Sequence, residues 1–284
     1  LGLGVWQIHR APTPAVSVAP VPAGYPGSER TLSVAVEGSG VAVVDPQLAS
    51  GLTVTGGPRT LVPPGAVEWG LTLRDRGRYE LDGLTVRQRD ALGLLERVTA
   101  PAVNERIVVY PTVYPLRGDR RLERLFADVL PAERQEFDRL REYESGDPLR
   151  NVHWKSSAKH DEYMVMEFAP TRRNETVTIA ADATGAAVDE MASAAASLVV
   201  AAISAGLGVA VTVPGGHLPG GQGEAHRANA LRLLATTGPG TVPPAEHDRA
   251  DVSIRSDDAG TRLRVGRTEL DFDDLRAGKQ PARA

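Results

Sequence analysis

The chain has 284 residues, of which 42% are hydrophobic and 24% charged, so length and composition predict a globular protein of two ordinary domains. The formal net charge of −4 offers no electrostatic attraction for a nucleic acid, and we therefore expect no nucleic-acid partner. Cysteine is absent, which excludes disulfides, thiolate zinc sites and cysteine catalysis.

The first ten residues, LGLGVWQIHR, have two interpretations. Trp6 followed by His9 and Arg10 is typical of the cytoplasmic end of a transmembrane helix. An ordinary frayed terminus fits equally well, because so short an apolar run cannot span a bilayer, which needs about 20 residues. Residues 11–30 are rich in proline and predict an extended lead-in.

The next part of the chain, up to about residue 115, alternates between short β-type runs and turn residues. On one run, Val67, Trp69, Leu71 and Leu73 recur at every second position, which is the period of a half-buried strand. Strands at this spacing predict an antiparallel β-sandwich over residues 15–116. The runs are TLSVAVEG, VAVVD, LTVTGG, VEWGLTLRD, RYELDGLTVRQ and ERIVVYPTV.

The periodicity changes to a helical one from Arg120. Apolar residues at helical spacing are followed by the turn Gly146-Asp147-Pro148 and by extended segments near 150–154 and 163–168. The pattern predicts a helical and extended connector over residues 117–170. The helically spaced residues are Leu122, Leu125, Phe126, Val129, Phe137, Leu140 and Tyr143.

The last part alternates strand and helix, which predicts parallel pairing in a small doubly wound α/β unit over residues 171–284. The glycine-rich stretch at 215–224 predicts a flexible loop, since it lacks a phosphate-binding pattern. The predicted elements are a strand at 175–182, a helix at 191–206, a strand at 207–216, a helix at 225–238 and short strands in DVSIRS and TRLRVG.

The stretch from 136 to 160 is the first candidate site. Asp147 and His153 could form an acid–base pair, with Lys155 nearby, because histidine titrates near neutral pH. No nucleophile motif surrounds them, which argues against catalysis. The structural alternative makes Trp154 a core residue and pairs Arg150 with Asp147 across a turn.

The second candidate lies at the end of the first α/β strand, where open α/β sheets bind ligands. Asp182 and Thr184 resemble the start of a magnesium site, but Ala186 stands where a second hydroxyl would be needed. Asp182 could instead cap the following turn. We therefore expect no tightly bound metal, and nothing in the sequence brings His217, His226 and His247 together.

The stretch EFDRLREYESGDPLRNVHWKSSAKHDEYMVMEF closely resembles the signature of the bacterial domain-of-unknown-function 58 (DUF58) family. The upstream stretch at 76–98 also resembles the family, with Asp90-Ala-Leu-Gly-Leu94 in place of the usual Asp-Pro-Phe-Gly-Leu. The matching residues are Glu136, Phe137, Leu140, Arg141, Tyr143, Gly146, Asp147, Arg150, Trp154, Lys155, Ala158, Lys159 and Glu167.

The resemblance implies two amino-terminal transmembrane helices, a β-sandwich-like region and a von Willebrand factor A-like α/β domain. It also implies an association with MoxR-type AAA+ ATPases and transglutaminase-like membrane proteins. Residues 1–14 are then the end of a truncated transmembrane segment, and the soluble part is expected in the cytoplasm. Because no enzymatic activity defines the family, we expect a non-enzymatic membrane-tethered adaptor in protein-complex or cell-envelope assembly, without a cofactor. The motif then serves as a structural hub.

The alternative is an enzyme acting on cell-envelope material. Its polar centre would be formed by Asp147, His153 and Lys155. An adaptor should bury Trp154 and tie Asp147 to Arg150, whereas an enzyme should leave His153 and an acid facing a concave pocket.

Overall fold

The computed structural model describes residues 14–81, 83–89, 96–116, 176–276 and 280–281, together with the backbone of residues 137–142 and 164–168. The chain divides into two compact units, one formed by Leu1–Asp119 and Thr176–Ala284 and the other by Arg120–Glu175. The larger unit therefore combines the amino-terminal strands with the carboxyl-terminal part of the chain.

In the residues that the structure describes, the amino-terminal part of the larger unit contains ten short strands. They are β1 (Val16–Val18), β2 (Glu29–Val36), β3 (Val41–Gln47), β4 (Leu52–Thr55), β5 (Arg59–Leu61), β6 (Gly65–Leu73), β7 (Gly77–Glu80), β8 (Gly83–Arg89), β9 (Glu96–Thr99) and β10 (Arg106–Val109). Two four-stranded sheets have the orders β1-β2-β6-β4 and β5-β3-β8-β9, and β7 pairs with β10. Every one of these pairings is antiparallel.

The two four-stranded sheets share one hydrophobic core. Trp69 is 1% exposed and donates its indole N–H to the Gly57 carbonyl at 3.0 Å. Leu71 and Leu73 are fully buried beside it, whereas Glu68 is exposed, so the period of two on β6 is confirmed. This arrangement agrees with the predicted antiparallel sandwich.

The smaller unit contains an antiparallel pair, β11 (Phe137–Glu142) and β12 (Met164–Phe168). The strand predicted over residues 163–168 is confirmed. The helical prediction through Phe137 and Leu140 is wrong, since both residues lie on β11. The helical spacing at Leu122–Val129 lies outside the described residues.

The carboxyl-terminal part of the larger unit is a six-stranded sheet with helices. The strands are β13 (Thr176–Ala183), β14 (Gly208–Val213), β15 (Gly216–Gly221), β16 (Val252–Asp257), β17 (Gly260–Val265) and β18 (Thr268–Asp271). The helices are α1 (Val188–Ser204), α2 (Gly223–Thr236), α3 (Pro244–Arg249) and α4 (Phe272–Arg276), and a 3₁₀ turn spans Gly185–Ala187.

The strand order of this sheet is β15-β14-β13-β16-β17-β18. β13 pairs in parallel with β14 and β16, so parallel pairing is confirmed for the centre of the sheet. The remaining strands pair antiparallel. The flexible-loop prediction for 215–224 is wrong, because Gly216–Gly221 forms β15 and pairs with β14. Side chains at Gly216 or Gly220 would collide with Leu233 or Thr176, which explains the glycines.

Helix α1 forms the apolar centre of the α/β part. Its alanine-rich sequence is buried on most sides, and Gly206, with a φ of 84°, ends it in the left-handed conformation that glycine adopts readily. Among the described residues, Gly185–Ser204 is long and apolar enough to cross a membrane. Because 61% of that window is buried within the protein, it also fits the core helix of a folded domain.

The segment that follows β10 contacts the α/β part. The backbone N–H of Tyr114 donates to Ser197 Oγ of α1 at 2.9 Å, and its ring meets Phe272 of α4 edge to face with centroids 5.8 Å apart. Arg276 lies over both rings and pairs with Glu190 at 2.8 Å. These contacts join the carboxyl-terminal helix to the chain leaving the sandwich.

Candidate functional site at the carboxyl edge of the parallel strands

The centre of the six-stranded sheet has a topological switch point. From β13 the chain passes through α1 to β14 on one side, and later returns through α2 and α3 to β16 on the other side. Open α/β sheets bind ligands at such a point, outside the carboxyl ends of the strands. A crevice of about 540 Å³ lies there, lined by Asp182, Thr184, Val242, Arg255 and Asp257 among others.

The segment 237–243, which we call the crossing segment, covers part of this crevice as it runs from α2 to α3. Gly240 exchanges two backbone hydrogen bonds with Ala183, of 2.9 and 3.3 Å, at the end of β13. A side chain at Gly240 would lie 2.8 Å from Pro214 Cβ, so the close approach of the crossing segment requires glycine. The crossing segment is therefore attached to the strand whose end it covers.

Asp182 binds the crossing segment and helix α3 together. Its Oδ2 accepts the Val242 backbone N–H at 3.1 Å and lies 2.9 Å from His247 Nε2. His247 Nδ1 lies 2.8 Å from Ser253 Oγ on β16. A His247 protonated on Nε2 donates to Asp182 and accepts from the Ser253 hydroxyl, so all three side chains are satisfied.

The three residue types are those of a hydrolase triad, but their setting is that of a clamp. Ser253 is 4% exposed and lies within β16, and His247 is 1% exposed. A nucleophilic serine instead stands at an exposed, strained turn where a substrate carbonyl can reach it. The hydrogen-bonded chain from Asp182 to Ser253 therefore holds α3 and the crossing segment against the sheet.

Asp182 and Thr184 have different surroundings from those that the sequence suggested. Asp182 binds Val242 and His247, and the 3₁₀ turn after β13 has no side-chain cap, so the capping prediction for Asp182 is wrong. Thr184 is exposed, and its backbone N–H donates to the Ser256 carbonyl. Within the described ranges, no group of three or more His, Asp or Glu side chains is placed to hold a metal ion.

Arg76, at the turn between β6 and β7, fixes the start of the crossing segment. Its Nη1 donates to the carbonyls of Leu234, Ala235 and Thr237 at 2.7, 3.1 and 2.9 Å, at the end of α2. Its Nε and Nη2 bind Asp189 Oδ1 at 2.8 and 2.7 Å. Carbonyls at a helix end lack partners within the helix and carry partial negative charge, so a guanidinium satisfies and stabilises them.

Tyr79 holds the turn that carries Arg76. Its hydroxyl lies 2.9 Å from the Asp75 carbonyl and 3.3 Å from the Arg76 carbonyl, so it can donate to either. Burial, together with the negative charges of Asp75 and Asp189, raises the pKa of the Tyr79 phenol. The sandwich therefore positions Arg76 through a neutral, hydrogen-bonded tyrosine.

Sequence reasoning misses two features of this site. The first is His247, which lies 65 residues from Asp182, and no local pattern in the sequence connects the two. The sequence also predicted that the three histidines would lie apart, and His217 and His226 each have a different partner. His217 Nδ1 lies 2.9 Å from Thr212 Oγ1, and His226 Nε2 lies 2.7 Å from the Val209 carbonyl. Arg76, the second missed feature, gives no sequence signal, since its partners are mostly carbonyls that any residue could supply.

The structure describes some of the residues that resemble the family motif. Phe137, Leu140 and Arg141 lie on β11, opposite Phe168, Met166 and Val165, and Glu167 lies on β12 opposite Arg139. The predicted burial of Trp154 and pairing of Asp147 with Arg150 lie outside the described residues. So do Glu136, Tyr143, Gly146, His153, Lys155, Ala158 and Lys159.

Two solved structures resemble about a third of this chain at low identity. A C. elegans MSP family member, WR4, is 12% identical with a TM-score of 0.25, and the match covers 33% of this chain and 96% of WR4. A protein of unknown function from Porphyromonas gingivalis W83 is 16% identical with a TM-score of 0.26, and the match covers 36% of this chain and 54% of that protein. Similarities at these scores carry no inference about this chain.

Sequence comparison is more informative. The uncharacterized protein YeaD of Bacillus subtilis (strain 168) is 25% identical over 169 residues, which are 56% of this chain and 42% of YeaD. The chain thus matches less than half the length of this relative. Residues 139–264 match the family described as "Protein of unknown function DUF58". The match begins within β11 and runs through the Asp182–His247–Ser253 chain into β17, so these residues are similar to the DUF58 family.

Proposed function

We propose that this protein is a non-enzymatic, membrane-tethered adaptor whose sandwich and von Willebrand factor A-like α/β part receive a protein partner. The partner class is a MoxR-type AAA+ ATPase, acting with a transglutaminase-like membrane protein in protein-complex or cell-envelope assembly. Tethering is through helices amino-terminal to the sandwich, with the soluble part in the cytoplasm.

One observation carries the proposal. Asp182, the acid at the end of β13, is committed to structure: it binds Val242 and His247, and the crossing segment covers part of the crevice. Groups arranged in this way stabilise a surface rather than perform chemistry on a bound molecule. The parallel centre of the sheet, with a polar carboxyl edge, supports the A-like assignment.

The experiment is capture of a partner by the full-length protein, extracted from bacterial membranes in detergent. We expect an AAA+ ATPase to copurify, and the purified ATPase to bind the soluble chain directly. A full-length protein found in the soluble fraction, or one that captures no ATPase after chemical cross-linking in cells, would contradict the proposal.

The alternative enzyme, centred on Asp147, His153 and Lys155, stays a prediction. It is distinguished from the adaptor by comparing Asp147→Ala and His153→Ala with Trp154→Ala. The adaptor predicts that Trp154→Ala lowers stability by about 3–5 kcal/mol, as truncation of a buried tryptophan does. The enzyme predicts that Asp147→Ala and His153→Ala keep the parent's melting temperature and lose turnover of envelope material.

A further inference from the structure

The face of the sheet that carries α3 is open over β16, β17 and β18. On β17, Thr261, Leu263 and Val265 are buried on the opposite face, so Arg262 and Arg264 are exposed on this one. On β16, Arg255 and Asp257 are likewise exposed. A groove of about 450 Å³ runs between α3 and these strands, and it is lined by Ser253, Arg255, Arg262, Arg264, Asp248, Asp257 and Glu269.

Two arginines lie directly opposite each other on the floor of this groove. Arg255 on β16 is the register partner of Arg262 on β17. Like charges at such positions destabilise a sheet, because the side chains are neighbours. Within the part of the chain that the structure describes, neither arginine has a side-chain hydrogen bond or an ion pair.

The third arginine is weakly held at the side of the groove. Arg264 Nη2 lies 3.4 Å from Asp248 Oδ1 and 3.3 Å from the His247 carbonyl, and its side chain is 48% exposed. An exposed pair of this length contributes little stability, so Arg264 can turn toward a ligand. Three guanidinium groups thus face one groove, and among the described side chains two of them, those of Arg255 and Arg262, form no ion pair.

Three carboxylates, those of Asp248, Asp257 and Glu269, line the groove beside the three arginines. Glu269 is the register partner of Arg264, and Asp271 is the register partner of Arg262, but Asp271 Oδ1 accepts the Asp273 backbone N–H. These acids repel anions, so binding has to come from close contact with the arginines. A single carboxylate on an extended segment can still fit between two arginines in bidentate geometry.

We infer that this groove is a docking surface for an acidic segment of a partner protein, which places a carboxylate between Arg255 and Arg262. The inference rests on the proposed function, since it names the surface through which the adaptor would hold its partner. The arginine pair lowers the stability of the free protein and gains its counter-charge when the partner binds.

The test is fluorescence anisotropy of the whole chain with a labelled hexaglutamate peptide at low ionic strength. Hexalysine, hexaserine and inorganic phosphate serve as comparison probes. We expect saturable binding of hexaglutamate that weakens about tenfold in Arg255→Glu and in Arg262→Glu, as loss of a charged contact does. Arg267→Glu is the matched control, because Arg267 is an exposed arginine at the turn between β17 and β18.

Stability supplies a second readout. Arg255→Glu replaces a like-charge pair with an opposite-charge pair, so its melting temperature should rise by about 1–3 °C while peptide binding falls. Equal losses in Arg267→Glu, binding of phosphate or hexalysine at the same strength as hexaglutamate, or self-association that depends on Arg255 would each overturn the inference.

The outcomes separate this inference from the adaptor proposal. If the full-length protein captures an ATPase and Arg255→Glu captures it equally well, the adaptor proposal is supported and the inference that the groove is the docking surface is wrong. If hexaglutamate binds through Arg255 and Arg262 but no partner is captured from membranes, the groove is a carboxylate site and the adaptor proposal fails.

Discussion

Arg76, at the turn before β7, and Arg255, within β16, are both arginines of the larger unit, yet their surroundings are opposite. The side chain of Arg76 is 10% exposed and has three carbonyls and a carboxylate as partners. Arg255 is exposed, faces Arg262 across the sheet, and has no partner among the described side chains. One guanidinium is satisfied within the fold, and the other is left available at the surface.

The difference indicates which arginines stabilise the protein and which retain binding capacity. Removing a satisfied group should unfold or loosen the larger unit, because the carbonyls it covered are left without partners. Removing an unsatisfied group should leave the fold intact or strengthen it. Stability measurements can therefore sort the two kinds of arginine before any partner is known.

The largest effect is expected for Arg76→Ala. The change leaves the carbonyls at the end of α2 and the Asp189 carboxylate without their cation, which should lower the free energy of unfolding by about 3 kcal/mol. Urea denaturation of the whole chain measures it. Arg78→Ala is the control, since Arg78 is an exposed arginine two residues away on β7. If Arg76→Ala and Arg78→Ala were equally stable, Arg76 would not stabilise the fold and would not differ from Arg255 in this respect.

A smaller loss is expected for Asp182→Ala. It removes the acceptor of the Val242 N–H and of His247, which is 1% exposed, so two buried donors lose their partner. We expect a loss of about 2 kcal/mol, since an unsatisfied buried donor typically costs about 1–3 kcal/mol. Urea denaturation again measures it, with Asp257→Ala on the exposed face as control. A catalytic Asp182 would instead leave stability unchanged.

The spacing of apolar residues is sufficient to predict a strand that is buried on one face, such as β6, or a helix that is buried on most sides, such as α1. The alternation on β6 and the apolar run of α1 are properties of neighbouring residues, so the sequence predicts both within a few positions. β15 is mistaken for a loop because its glycines and Pro219 are typical turn residues. Two of those glycines are instead required by close contacts with Thr176 and Leu233, which only the folded chain brings near.

The other errors have the same physical origin, which is dependence on distant partners. Phe137 and Leu140 are spaced as on a helix, but β11 is fixed by its pairing with β12, which lies much later in the chain. The contact of Asp182 with His247 likewise depends on the path of the crossing segment, which no local pattern specifies. Sequence reasoning therefore located one end of the site and missed what binds it.

Tyr79→Phe tests how the sandwich positions Arg76, and its effect should be smaller. The change removes one hydroxyl that donates to the Asp75 or Arg76 carbonyl, so we expect a loss of about 1 kcal/mol at neutral pH. Thermal unfolding followed by circular dichroism measures it, with Tyr110→Phe as a control that removes a different hydroxyl. A loss as large as that of Arg76→Ala would mean that the turn, rather than the guanidinium, joins the two parts.

The same variant has a pH signature. The pKa of Tyr79 is raised in the folded protein, whereas an unfolded tyrosine ionises near its ordinary value of about 10. The stability that this shift contributes is present below the unfolded pKa and is lost as the pH rises through the folded pKa. Between neutral pH and pH values above about 10, the parent should therefore lose more stability than Tyr79→Phe does.

The smallest effect concerns Mg²⁺ at the carboxyl edge of the sheet. Asp182 Oδ2 already accepts from Val242 and lies against His247, so a metal bound to that oxygen would have to break both hydrogen bonds. Mg²⁺ also needs near-octahedral oxygen geometry and loses water reluctantly. The Asp182 carboxylate is therefore satisfied within the fold, as the Arg76 guanidinium is, and the stability of the protein should not change when Mg²⁺ is added.

Thermal unfolding of the whole chain with and without metal measures that response. A site with a Kd of about 10 μM would stabilise the protein by about 2.7 kcal/mol at a hundredfold excess of metal, which is about 1 mM. We expect no shift in the melting temperature at that concentration of Mg²⁺ or Mn²⁺, because Asp182 is already bound within the fold. A shift that disappears in Thr184→Ala would show that the edge of the sheet binds a metal. Asp182 would then be able to bind a ligand, as proposed for Arg255, and would not be a purely structural group like Arg76.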